Sequence, residues 1–223
     1  MDIPYEAQLR QGRRRWCGAA ALVMVYRSLG IDCSQPAMWE AIARPSRAGR
    51  PAARTYLLAA DALRRGLAAV VFEAADPWRA LRRCAEHGLR AIVNHRVRAD
   101  SPLGHYSVLV EIDDQHAVLH DPQWGPARRL ARSDLLSLWL PSGEGCEIRG
   151  RVLVAVAKPE LAARLCPTCG TPPPATVVCP RCRGKIPFSP SAALGCTGAS
   201  CPSREWETVF CPHCDAGLRS ETA

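Results

Sequence analysis

The sequence lacks any long run of apolar residues, and this absence excludes several classes of protein. Its longest apolar stretch, Ala19 to Tyr26, is far shorter than the roughly 20 residues that a membrane-spanning helix requires. The N-terminal segment also lacks the apolar region of a secretory signal peptide. Hydrophobic residues nevertheless make up 48% of the 223 residues and charged residues 22%, which is typical of a folded globular chain. We therefore expect a cytoplasmic protein without a membrane segment.

The twelve cysteines are distributed unevenly along the chain. Four of them are scattered over the first 165 residues: Cys17, Cys33, Cys84 and Cys146. The other eight lie close together and mostly form Cys-x-x-Cys pairs: Cys166, Cys169, Cys179, Cys182, Cys196, Cys201, Cys211 and Cys214. In a chain without an export signal, such clusters indicate metal sites rather than disulfides.

A change of composition divides the chain near residues 159–165. Residues 1–158 alternate helical and strand-like patterns, whereas residues 166–223 are poor in aliphatic residues and rich in Cys, Pro and Gly. The sequence therefore predicts a domain over residues 1–158, a linker over 159–165 and a small metal-binding domain over 166–223. No repeat of the length found in solenoid proteins is present.

The first domain has helical patterns before strand patterns. The apolar, Ala-rich segment from Cys17 to Leu29 predicts a buried helix that Gly30 ends. Three further helices are predicted to start near Ser34, Thr55 and Asp76. Strands are predicted over residues 68–72, 90–95, 106–112 and 117–120, the last two joined in a hairpin around residues 113–115. This order favours an α+β fold with an antiparallel sheet.

Three residue types suited to nucleophilic catalysis occur at informative positions. Cys17 begins the buried helix and follows Arg13 to Arg15, so the helix dipole and positive charge both favour the nucleophilic thiolate. Such a nucleophile needs an imidazole and a group that orients it. His105 opens one strand of the hairpin and Asp121 ends the other, and an antiparallel pairing brings these two ends together.

Two longer segments containing these residues resemble a known family. The stretches IPYEAQLRQGRRRWCGAAALVMVYRSLG and GHYSVLVEIDDQHAVLHDPQWGPARRLARSDLLSLW are similar to bacteriocin-processing cysteine peptidases. These are papain-like enzymes that cut leader peptides after a double glycine, and the resemblance covers about residues 3–157. The transporter half of many family members is absent from this sequence.

The resemblance implies a role for each matching residue. Cys17 would be the nucleophile, His105 the general base and acid, and Asp121 the group that orients His105. Gln11, six residues before the cysteine, would donate to the oxyanion together with the backbone N–H of Cys17. Gln8 lies nine residues before the cysteine and is an alternative oxyanion donor.

The eight clustered cysteines resemble those of zinc ribbons. Two Cys-x-x-Cys knuckles close one tetrahedral four-thiolate site, and so short a segment needs metal to supply folding free energy. Four thiolates leave no open coordination position, so we expect two structural Zn²⁺ ions. Sequential pairing of the knuckles is the favoured arrangement, and the alternative joins Cys179 and Cys182 to Cys211 and Cys214.

The expected partners follow from charge and composition. Two four-thiolate zinc sites would reduce the formal charge of +8 to roughly +4, which is only a weak basic bias. The cysteine-rich segment also has few aromatic and basic residues arranged for base stacking. Nucleic acid is therefore not expected as a partner, and we favour a protein partner for this segment or docking against the first domain.

The sequence thus predicts a cysteine peptidase that hydrolyses a peptide or protein substrate after small residues such as Gly-Gly. One alternative is acyl transfer or deamidation on the same three residues. Another is a non-catalytic binding module whose zinc ribbons recognise a protein.

Overall fold

The computed structural model describes residues 2–9, 15–46, 49–159, 165–198 and 200–219. Its helices are α1 (Cys17–Ser28), α2 (Gln35–Ile42), α3 (Thr55–Arg64), α4 (Pro77–Glu86), α5 (Arg132–Leu138) and α6 (Ser191–Leu194). The first strands are β1 (Ala43–Pro45), β2 (Pro51–Ala53), β3 (Ala68–Ala74), β4 (Arg90–Arg96), β5 (Gly104–Ile112) and β6 (His116–Asp121). The later strands are β7 (Gly125–Ala131), β8 (Val152–Ala157), β9 (Thr176–Val178), β10 (Lys185–Pro187), β11 (Trp206–Phe210) and β12 (Gly217–Arg219).

The predicted α+β class with an antiparallel sheet is confirmed. Eight strands form one sheet in the order β12-β11-β3-β8-β4-β5-β6-β7, and every neighbouring pair in it is antiparallel. The predicted hairpin is β5–β6. Its turn is held by Asp113, whose Oδ1 accepts hydrogen bonds from the backbone N–H groups of Gln115 and His116.

The burial of helix α1 explains why its sequence is apolar on nearly all sides. Its first ten residues, Cys17 to Tyr26, are all buried, and the helix packs against α2 and β5. A side chain at position 18 would come within 2.8 Å of the Cβ of Ala53 and 3.2 Å of the Tyr106 ring, so Gly18 permits this close approach. The packing places the N-terminus of α1 beside the start of β5. None of the helices in the described residues is long and apolar enough to span a membrane.

The cysteine-rich segment contributes to the same sheet as the first domain. Strand β11 pairs with β12 on one side and with β3 on the other, where Phe210 lies opposite Val71. Trp206 and Val209 of β11 belong to the apolar core that also contains Phe72. The segment is therefore docked through a strand and a shared core. Residues 160–164 of the predicted linker lie outside the described residues.

Candidate active site and cysteine tetrads

The structure brings His105 and Asp121 together at one end of the β5–β6 hairpin. Nε2 of His105 donates to Oδ1 of Asp121 at 2.7 Å, and both side chains are buried. The same carboxylate accepts a hydrogen bond from Arg128 Nη1 at 2.9 Å and two from the backbone of the following turn. Burial raises the pKa of Asp121, but its bond to His105 and these other donors together hold the pKa well below its usual range. Asp121 is therefore ionised and fixed in place.

Cys17 and His105 stabilise each other in their charged forms. Burial alone would raise the pKa of the Cys17 thiol, but the charge and hydrogen bond of His105 outweigh it, so this pKa is lowered. Burial likewise lowers the pKa of His105, but Cys17 and Asp121 together raise it to about 9. Arg15 also favours the thiolate, whereas Arg13 and Arg14 lie outside the described residues. The arrangement favours a thiolate–imidazolium pair at neutral pH.

The two candidate glutamines differ in what the structure shows of them. Gln11 lies outside the described residues. The backbone N–H of Gln8 donates to the carbonyl of Pro122 at 2.9 Å, and its amide Nε2 lies 3.4 Å from Oε1 of Gln123. Gln8 therefore contacts the turn after Asp121, and it is not among the residues that line the cleft at Cys17.

A second buried histidine, which no motif in the sequence marks, lies beside His105. His95 in β4 pairs directly opposite His105 in β5, and the two rings meet edge to face at 5.3 Å. Nδ1 of His95 lies 2.7 Å from the carbonyl of Arg96, so it donates, and Nε2 accepts from the Ser107 hydroxyl at 2.9 Å. His95 therefore fixes one side of the His105 ring. Only the strand register reveals this contact.

His95 is expected to stay neutral across the range in which an ordinary histidine titrates. Burial, together with the positive charge of His105, lowers its pKa to about 3. Because the unfolded chain takes up that proton near pH 6.5, this residue's contribution to the free energy of unfolding should fall as the pH drops from about 6.5 towards 3. NMR titration of the histidine rings checks the assignment. A His95 midpoint near 6.5 would contradict it.

A cleft of about 630 Å³ extends from the Cys17 thiol. One side carries residues 52–55 and Tyr106, whose hydroxyl lies 2.8 Å from Oγ1 of Thr55. The other carries residues 145–149, where Glu147 pairs with Arg15 at 2.8 Å. Phe210 and Asp215 of the cysteine-rich segment also line it. The cleft has room for several residues of an extended peptide.

Among the other thiols and histidines of the first domain, His120, Cys84 and Cys33 do not line the cleft. His120 binds elsewhere in the fold, where its Nε2 donates to the carbonyl of Ile3 at 2.8 Å. Burial raises the pKa of Cys84 to about 12 and also raises that of Cys33. Cys146, in contrast, lines the cleft.

The eight clustered cysteines form two tetrads. The first contains Cys166, Cys169, Cys196 and Cys201, and the second contains Cys179, Cys182, Cys211 and Cys214. All four sulfur atoms of a tetrad lie within 4.8 Å of one another, so each tetrad could bind a metal ion. We call them tetrad I and tetrad II.

The favoured sequential pairing of knuckles was wrong. The second knuckle is the turn between β9 and β10, and the last knuckle is the turn between β11 and β12. These two hairpin turns meet, with Sγ–Sγ distances of 3.6 Å for Cys179–Cys214 and for Cys182–Cys211. The first knuckle instead meets the loop that carries Cys196. Trp206 is fully buried against Phe188.

Comparison with known proteins agrees with this geometry. Residues 6–141 match the model of the Peptidase C39 family. The fold is similar to that of a C39-like peptidase from Bacillus anthracis, with 14% identity and a TM-score of 0.57 over 71% of this chain and 96% of that one. It is also similar to the peptidase domain of Streptococcus ComA, a bi-functional ABC transporter of a quorum-sensing pathway, with 17% identity and a TM-score of 0.52 over 70% and 98% of the chains. No curated protein sequence matches this chain.

Proposed function

Because the chain belongs to the peptidase C39 family, whose members are papain-like cysteine peptidases, we propose that Cys17, His105 and Asp121 perform the cleavage. Cys17 is the nucleophile, His105 is the general base and acid, and Asp121 orients His105. The observation that carries this assignment is the buried 2.7 Å hydrogen bond between His105 and Asp121. The charge and the hydrogen bond of the same imidazole lower the pKa of Cys17.

The reaction proceeds through a thioester on Cys17. The thiolate attacks the carbonyl carbon of the peptide bond and forms a C–S bond, which moves an electron pair onto the oxygen. Protonated His105 then gives its proton to the leaving nitrogen as the C–N bond breaks. His105 next takes a proton from water, whose oxygen attacks the thioester and releases the acid and the Cys17 thiolate. Throughout, the Asp121 carboxylate accepts a hydrogen bond from Nε2 of His105, which is not the ring nitrogen that exchanges protons in these steps.

The oxyanion of these steps requires donors beside the thiolate. We assign this role to the backbone N–H of Cys17 and the side-chain amide of Gln11. The contacts of Gln8 with the turn after Asp121 support Gln11 over Gln8.

Replacing each glutamine in turn with alanine shows which of the two is the oxyanion donor. Gln11→Ala should lower kcat by roughly 10²–10³-fold with little change in KM, since an oxyanion donor acts in the transition state. Gln8→Ala is the matched control and should lower kcat by less than about tenfold. The measurement is steady-state cleavage of one peptide by both variants. If Gln8→Ala produced the larger loss, the assignment would be reversed.

The proposed specificity is for bonds that follow small residues such as Gly-Gly. It comes from the resemblance to double-glycine peptidases. The test compares two peptides that differ only by Gly-Gly or Leu-Leu before the scissile bond, with fragments detected by mass spectrometry. Equal kcat/KM for both would remove this specificity. Release of ammonia from glutamine peptides without fragments would favour the deamidase alternative instead.

We propose Zn²⁺ as the ion of both tetrads. Tetrahedral zinc with Zn–S bonds of 2.3 Å places its sulfur ligands about 3.8 Å apart, and the closest sulfur pairs here are separated by 3.5–3.7 Å. The backbone N–H groups of Gly198 and His213 point at ligand sulfurs, which stabilises thiolates. With four thiolates each, both ions would be structural. Residues 166–223 would then be a double zinc ribbon docked on the peptidase domain of residues 1–158.

A further inference from the structure

Two residues that flank cysteines of tetrad II line the cleft at Cys17. Phe210 directly precedes the ligand Cys211, and Asp215 directly follows the ligand Cys214. Both of these neighbours line the cleft. Neither the cysteines of tetrad I nor the residues next to them line it. The cysteine-rich segment therefore contributes to the cleft through residues next to tetrad II and not through residues next to tetrad I.

The position of Asp215 is fixed by the knuckle that carries it. Its backbone N–H donates to the carbonyl of Cys211 at 3.0 Å, and the N–H of Cys211 donates to the carbonyl of Ala216 at 2.9 Å. Asp215 has a left-handed backbone, with φ of 63°. Such a conformation is uncommon for residues other than glycine, although Asp and Asn tolerate it. The cleft thus contains a carboxylate on a backbone that the knuckle holds in place.

Within the part of the chain that the structure describes, Asp215 is the acidic residue of the cleft whose carboxylate has no hydrogen bond or ion pair. Glu147, the other acid in the lining, pairs with Arg15 at 2.8 Å. Among the described residues, none lies within hydrogen-bond or ion-pair distance of the Asp215 carboxylate. The nearby arginines are engaged differently: Arg54 donates to the carbonyl of Pro45 at 2.8 Å, and Arg149 lies 4.9 Å above the Phe210 ring.

We infer that Asp215 binds substrate by accepting a hydrogen bond from a main-chain N–H of the peptide. The proposal rests on the proposed peptidase function and adds a binding residue to it. A peptide of small residues offers its backbone rather than side chains for recognition, and a neutral N–H is not repelled by Arg54 and Arg149. A substrate cation at the same place would meet both guanidinium groups. Because Cys214 precedes Asp215, the metal in tetrad II would hold this acceptor in position.

The test compares two glycine substitutions in the same tetrad. Asp215→Gly removes the carboxylate without straining a left-handed residue. Arg183→Gly is the matched control because Arg183 follows Cys182 as Asp215 follows Cys214, has φ of 61° and does not line the cleft. The probe is a peptidyl chloromethyl ketone ending in Gly-Gly, which alkylates Cys17 with saturable kinetics when it occupies the cleft. Iodoacetamide, which needs only the thiolate, is the reference reagent.

We expect Asp215→Gly to raise the KI of the ketone about tenfold, as for the loss of one hydrogen bond to a charged group, with the limiting inactivation rate unchanged. Asp215→Asn keeps an acceptor oxygen and should fall between wild type and Asp215→Gly. Arg183→Gly should match wild type, and all variants should react equally with iodoacetamide and keep two metal ions.

An unchanged KI in Asp215→Gly, or the same rise in Arg183→Gly, would overturn the inference. So would inactivation of the wild type that does not saturate. Failure of the proposed function has a different signature, namely no peptide cleavage by the wild type while the ketone still saturates and still depends on Asp215.

Discussion

Replacing His105 with alanine should lower peptide cleavage by about 10⁴-fold or more, because it removes the base, the acid and the charge that holds Cys17 as a thiolate. His105 outweighs the effect of burial on the Cys17 thiol. Without it, only Arg15 and the backbone of Tyr106 oppose the effect of burial, so the thiol pKa should rise. The variant should therefore lose both the chemistry and the reactive form of the nucleophile.

The pH dependence of alkylation measures this loss directly. In the wild type, iodoacetamide should label Cys17 rapidly well below pH 8.5, since its pKa is lowered and that of His105 is raised to about 9. The thiolate–imidazolium pair exists between these two values and is lost as the pH rises through about 9 or falls below the pKa of Cys17. In His105→Ala, labelling at neutral pH should slow and its midpoint should move upward.

Controls for this experiment exist in the same chain. Cys84, with a pKa raised to about 12, should remain unlabelled in both proteins, and peptide mass spectrometry separates it from Cys17 and Cys146. His116→Ala removes a partly exposed histidine at the start of β6 and should leave the Cys17 profile unchanged. Equal labelling of Cys17 in wild type and His105→Ala would show that the imidazole does not activate the thiol.

The contact between His105 and Asp121 was predictable because the hairpin that carries them fixes where their two strand ends meet. The proposed role of Cys17 came from its position at the start of a buried helix and from the family resemblance. His95 was not predictable in the same way, since its role depends on the register between β4 and β5. Reading that register from the sequence requires knowing that these strands pair directly.

The arrangement of the cysteine-rich segment depended on contacts between distant parts of the chain. Knuckle spacing indicates that each pair shares an ion, but it does not say which pairs meet. That choice is made by the two hairpins, β9–β10 and β11–β12. The pairing of β11 with β3 joins strands that lie far apart in sequence, and composition alone marks the segment as separate.

Loss of metal from tetrad II should destabilise the peptidase domain itself. A structural zinc site has an apparent binding free energy of about 10–16 kcal/mol, which is comparable to the whole stability of a domain, about 5–15 kcal/mol. Tetrad II closes the β11–β12 hairpin, and β11 covers the edge of β3. Without β11, the apolar strand β3 would become an unpaired edge of the sheet and would be prone to association with other chains.

The experiment replaces the two cysteines of one knuckle at a time. Cys179→Ser with Cys182→Ser disrupts tetrad II, and Cys166→Ser with Cys169→Ser is the matched change in tetrad I. Both double variants should lose one metal ion. The tetrad II variant should show the lower melting temperature and the greater tendency to aggregate, because only its hairpin supplies a strand to the central sheet.

The reactivity of the Cys84 thiol measures the same destabilisation inside the peptidase domain. It is fully buried in the core that it shares with Trp206 and Val209 of β11, so it reacts with thiol reagents only when that core opens. Disrupting tetrad II should expose Cys84 to labelling at temperatures where the wild type and the tetrad I variant protect it. Continued protection of Cys84, with an unchanged melting temperature, would mean that the sheet holds β11 without its metal. Tetrad II would then serve to position Asp215 in the cleft rather than to hold the fold together.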